Sequence, residues 1–97
     1  MLLYNITGEL TTKISSIDAP QTINKISLAN VHGSIKCSID LFLEKEGRGP
    51  YYFFKQLSLP ADMSLVHDLA FNAKEWNLFI KLTKSASETP AVDVILY

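Results

Sequence analysis

Between residues 34 and 47 the chain reads SIKCSIDLFLEKEG, and its apolar side chains fall on alternate positions. Ile35, Cys37, Ile39, Leu41 and Leu43 share one parity; Lys36, Ser38, Asp40 and Glu44 share the other. A strand points successive side chains to opposite faces, so the pattern predicts a half-buried antiparallel strand over residues 35–43. Phe42 is the exception on its polar face. Glu46-Gly47-Arg48-Gly49-Pro50 predicts a turn of about five residues, because glycine permits positive φ and proline bars ladder pairing. Residues 51–59 return as the partner strand, closed by Pro60.

The same alternation recurs on both sides. Over residues 23–31, Ile26, Leu28 and Asn30 oppose Lys25 and Ser27, and Val31-His32-Gly33-Ser34 reads as the next turn. Residues 10–17 read as an earlier strand, ending near Asp18-Ala19-Pro20. Downstream, Leu78, Ile80 and Leu82 alternate with Asn77, Lys81 and Thr83; residues 85–90 form a polar loop and 91–97 a last strand. Residues 62–76 fit two patterns. Leu65/Val66, Leu69/Ala70, Ala73 and Trp76 stand near helical spacing behind Asp62 as a cap. Equally, residues 64–66 form a strand followed by a turn around Asn72-Ala73, and this strand reading is preferred. About seven or eight short strands, with turn signals roughly every 8–12 residues, predict one all-β domain over 1–97, an antiparallel β-sandwich of jelly-roll or Ig-like type.

The run Tyr51-Tyr52-Phe53-Phe54 gives its strand two apolar faces, although a chain of this size has one core. The nominally polar faces also hold Phe42, Phe79, Ile95 and Tyr97. Contiguous apolar patches mark interfaces. Three readings are open: subunit contact, a sheet that curls and encloses the rings, and stacking of sugar on Tyr or Trp76. Subunit contact through Phe42, Tyr52, Phe54, Phe79 and Tyr97 is preferred. Tyr52 and Phe54 are assigned outward because Tyr51, Phe53, Leu57 and Leu59 form the more apolar alternate set. A bulge near Gly49-Pro50 would move that frame by one.

Composition narrows the function classes. The chain has 97 residues, of which 47% are hydrophobic, and a formal net charge of −1. Its lysines and arginines are scattered singly, which argues against a nucleic-acid partner. No apolar run approaches the ~20 residues of a membrane span. Met1-Leu2-Leu3-Tyr4 lacks the charged start of a secretory leader, so the Asn5-Ile6-Thr7 sequon carries little weight. Cys37 is the single cysteine, so no internal disulfide forms, and its place on the apolar face makes it a small buried hydrophobe.

Catalytic signals are sparse. His32 sits in a turn; His67 and Asp68 are adjacent, and neighbouring strand residues face opposite ways. Two isolated histidines and one cysteine make no metal motif. Gly47-Arg48-Gly49 lacks the lysine and the helix of a phosphate loop. The pairs Asp62 with Asp68 and Glu44 with Glu46 read as solvated carboxylates. The expectation is no catalytic, cofactor-binding or metal-binding residue and no cofactor.

The succession INKISLANV, SIDLFL, a glycine-rich turn, YYFFKQLSLPADMSLV, WNLFIKLTKSA and PAVDVILY resembles small virion-associated β-sandwich proteins of tailed bacteriophages. It covers residues 23–97. Asp62 stands where those proteins usually carry glycine, and residues 69–75 depart from their pattern. The resemblance implies a non-enzymatic structural component of a phage particle, in a tail or capsid-decorating position, made in the host cytoplasm and partnered by itself or other virion proteins. The alternative is a carbohydrate- or receptor-binding module.

Overall fold

Alternation dictates strands throughout, and strands are what form. The computed structural model describes residues 2–18, 22–72, 75–85 and 87–97, leaving aside the side chains of residues 70–72. Its strands are β1 (Leu2–Thr7), β2 (Thr11–Ser15), β3 (Thr22–Asn30), β4 (Cys37–Lys45), β5 (Arg48–Leu59), β6 (Ser64–Asn72), β7 (Asn77–Lys84) and β8 (Ala91–Leu96). No helix occurs among the described residues. The strand preferred over a helix near residue 64 is therefore present and longer than expected, while Ala73 of the expected turn lies outside the described residues.

The pairing follows one rule. β4 pairs with β5, β3 with β6, β2 with β7 and β1 with β8, all antiparallel. The chain is thus a single long hairpin, with β1 to β4 running out and β5 to β8 running back. Rolling it brings β8 beside β3 and β7 beside β4. Two four-stranded sheets result, β1-β8-β3-β6 and β2-β7-β4-β5. This is the jelly roll of the two expected alternatives; the immunoglobulin arrangement groups its strands differently.

The core lies between the sheets. Ile14, Ile26, Leu28, Ile39, Leu41, Leu78, Ile80, Leu82 and Val92 are fully buried there. The sheets also meet at both margins. Tyr4 Oη in β1 donates to the Ile14 carbonyl in β2 at 2.8 Å. On the other side the Phe54 and His67 rings lie 4.8 Å apart, edge to face. Asn30 is the buried polar exception. Its Nδ2 donates to the carbonyls of Ile35 and Leu59, each at 3.0 Å, and its Oδ1 accepts the His32 N–H at 3.0 Å. One side chain thus ties the β3–β4 turn to the end of β5.

Several details differ from the sequence expectation. Leu2–Thr7 is a full strand, with Leu2, Tyr4 and Ile6 alternating inward against β8. Of the side chains expected in the core, Cys37, Ile39 and Leu41 are buried, Leu43 is half-buried, and Ile35 precedes the strand in the turn held by Asn30. The β4–β5 turn is tighter: Lys45 already pairs with Arg48, and Gly49-Pro50 lies inside β5. Gly49 has φ 100, and a Cβ there would stand 2.8 Å from the Leu43 carbonyl. Only glycine fits that approach. Asp62 has φ 59, left-handed backbone that glycine enters freely and aspartate tolerates.

Candidate functional site

The outer face of the second sheet holds an aromatic row that runs across three strands. Register places Phe42 directly opposite Tyr52 of β5 on one side and Phe79 of β7 on the other. Opposed residues of antiparallel strands project to the same face at ~5 Å separation, so the rings must meet. Phe42 and Phe79 stack with centroids 5.5 Å apart and planes 13° apart. Phe42 and Tyr52 lie 5.4 Å apart, tilted by 50°.

Lysines close the row at both ends. Lys13, opposite Phe79 in β2, holds its Nζ 5.8 Å from that ring. Lys55 Nζ stands 5.2 Å from the Tyr52 ring. The row Lys13–Phe79–Phe42–Tyr52–Lys55 therefore crosses the whole sheet. Its centre is covered by its own neighbours, with Phe42 only 9% exposed, while Tyr52 is 44% exposed. Cations over ring faces add ~0.5–1 kcal/mol each at exposed sites and fix where charge sits around the rings.

Two residues expected on this face lie elsewhere. Phe54 pairs with Leu41, the buried neighbour of Phe42, and packs against the core. The reason is a bulge: Leu41 and Phe42 oppose Phe54 and Tyr52, so β5 runs one residue longer than β4 here, at Phe53. An extra residue inverts the alternation beyond it. A second bulge follows at Lys55-Gln56, where Gln56 has φ 54 and donates its N–H to Asp40 Oδ1 at 2.6 Å. Tyr97 belongs to the other sheet. Its N–H donates to the Lys25 carbonyl at 2.9 Å, and it lines a shallow groove with Asn24, Lys25 and Val66.

A second aromatic cluster, which sequence reading did not assemble, sits at the β4–β5 turn. Tyr51 meets Trp76 edge-on at 5.4 Å. Lys45 Nζ lies 4.4 Å, and Arg48 Cζ 5.8 Å, from the Trp76 ring centre. The cations occupy the indole that sugar stacking on Trp76 would need.

The titratable groups have structural surroundings. His67 opposes Ile26 and faces Phe54, whereas Asp68 opposes Lys25 on the other face. His32 Nδ1 accepts from the N–H groups of Ser34 and Ile35 at 3.1 and 3.3 Å. Burial pushes the Cys37 thiol upward, away from the reactive thiolate. Among the described residues no three His, Cys, Asp or Glu side chains gather where a metal could be held. No protein-family model matches the chain, and no curated protein matches it.

Proposed function

We propose that the chain is a non-enzymatic structural subunit, of the kind built into the particles of tailed bacteriophages, that associates with itself or another virion chain through the outer face of its second sheet. The observation that carries the reading is the Phe79–Phe42–Tyr52 row, laid across three strands of a rigid jelly roll. Sheet faces in water are polar; this one spends its central positions on rings. Burying ~100–150 Å² of remaining ring surface contributes ~2.5–4 kcal/mol at ~25 cal/mol per Å², before the cost of association. That sustains weak contacts, which repetition in a symmetric particle multiplies.

A sugar-binding module is the rival. Stacking on sugar needs an open ring face; in the row the rings mainly cover one another, Tyr52 alone of the three being near half exposed, and Tyr51 is met edge-on by Trp76. That favours a protein partner. The test is size-exclusion chromatography with light scattering on the wild type and on Tyr52→Ser combined with Phe79→Ser. The double variant should stay folded and elute as a smaller species. Binding on a glycan array that the double variant loses would favour the rival.

A further inference from the structure

β1 and β6 flank one sheet, β2 and β5 the other. An open edge offers unpaired N–H and C=O groups to any passing strand, and bulges are a common way to blunt it. Three of these edge strands carry one. Ile14 is an extra residue in β2 between Lys13 and Ser15. In β6, Leu69 and Ala70 together oppose Asn24. β5 is irregular against β4 at three places. β1 differs: its register with β8 runs unbroken from Leu2 to Thr7, and the strand has no proline and no charged residue.

The free side of β1 can be read group by group. Gly8 donates its N–H to the Pro90 carbonyl at 2.9 Å, one step beyond the Thr7–Ala91 pair. Hydrogen-bonded and non-bonded pairs alternate along an antiparallel ladder. Leu2, Tyr4 and Ile6 therefore bond to β8, and Leu3, Asn5 and Thr7 turn their N–H and C=O groups outward. Among the described residues no strand pairs on that side. Leu3 is 68% exposed there.

We infer that β1 is the seam of a two-fold dimer, pairing antiparallel with β1 of a second copy and extending the first sheet across both subunits. The free groups fix the register. With Asn5 opposite Asn5 of the second copy, and Leu3 opposite Thr7, every outward N–H meets a C=O and every outward C=O meets an N–H. Outer-face side chains then stay on the outer face, as parity demands.

Charge selects the occupant. The seam itself brings no charge from either copy. The nearest carboxylate, Asp93, accepts a hydrogen bond from Asn5 Nδ2, and the two copies of Asp93 stand about three strand spacings apart, ~14 Å, beyond the screening length of ~8 Å. Head-to-tail pairing of β1 with β6 is worse. The N–H of Asn30 donates to the Met63 carbonyl, so Ser64, Val66 and Asp68 face the free edge of β6. That edge would press the Asp68 carboxylate and a bulge against a strand with no cation.

This seam does not rest on the aromatic row, and its test is separate. In a hydrogen-bonded antiparallel pair the Cα atoms lie ~5.5 Å apart, inside the disulfide range of about 4.4–6.8 Å. Full-length Asn5→Cys under mild oxidation should form a disulfide-linked dimer at least ~10-fold faster than Val66→Cys, whose residue faces the opposite edge. By sedimentation velocity, Asn5→Pro should lose the seam dimer and keep only the weaker association through the aromatic row, with little change in melting, because the proline removes an N–H that only the seam uses. Asn5→Ala, which loses the Asp93 bond but keeps the N–H, should retain it. A wild type monomeric up to ~1 mM, equal cross-linking at Val66→Cys, or dimerisation of Asn5→Pro at wild-type strength would overturn the seam. If Asn5→Pro fails to fold, the two cysteine variants decide.

Discussion

Replacing Asn30 with Ala should cost more than replacing almost any surface residue, though it removes little apolar area. Asn30 is 2% exposed and serves the carbonyls of Ile35 and Leu59 and the N–H of His32. Leu59 is buried, and its carbonyl, which faces Cys37 in the β4–β5 ladder, would keep that ladder partner but lose the amide, a loss of about 0.5–1.5 kcal/mol. Ile35 and His32 are half-exposed, and water can reach them, so each loses ~0.5–1 kcal/mol. The sum is ~1.5–3.5 kcal/mol, a large share of the ~5–15 kcal/mol expected for a small domain. Urea denaturation should show a lower midpoint with an unchanged slope. Asn30→Asp should be worse than Ala, because its carboxylate would face two carbonyl oxygens with no donor to offer. A loss under ~0.5 kcal/mol for Ala, or an Asp variant as stable as wild type, would refute the tie between the β3–β4 turn and β5.

Three further outcomes are expected. Ile39→Asp should abolish the cooperative thermal melt, since an unpaired charge at a fully buried site costs several kcal/mol. Gly49→Ala should destabilise by ~1–3 kcal/mol in denaturant titration, given its φ of 100 and the 2.8 Å approach to the Leu43 carbonyl. The Cys37 thiol, buried and shifted upward, should react with a thiol reagent only as fast as the domain opens; rapid labelling of the native protein would contradict its placement.

The strands that alternate strictly were legible. β4 and β7 have no bulge of their own, so Ile39, Leu41, Leu78 and Ile80 fall inward as parity requires. β1 is legible too, in the alternation of Leu2, Tyr4 and Ile6, although an apolar start at the head of a chain equally invites comparison with a leader. β5 was not. Each of its extra residues resets parity, and nothing in YYFF says that Phe53 is the extra one; that is decided by pairing with β4. Tyr52 could therefore be placed outward while Phe54 could not. Lys13 and Lys55 join the aromatic row through cross-strand neighbours far apart in sequence, so single-strand periodicity gives no sign of them. The choice of jelly roll over the immunoglobulin order likewise depends on which strands pair, which alternation does not encode.

The aromatic row as an association surface is tested most directly by sedimentation velocity of Asn5→Pro, with and without Tyr52→Ser plus Phe79→Ser, across a concentration series. With the β1 seam blocked, the account predicts residual concentration-dependent association in Asn5→Pro and its loss when the two rings are removed, with equal melting profiles for both proteins. Two proteins that sediment identically as monomers at every concentration would contradict self-association through that face.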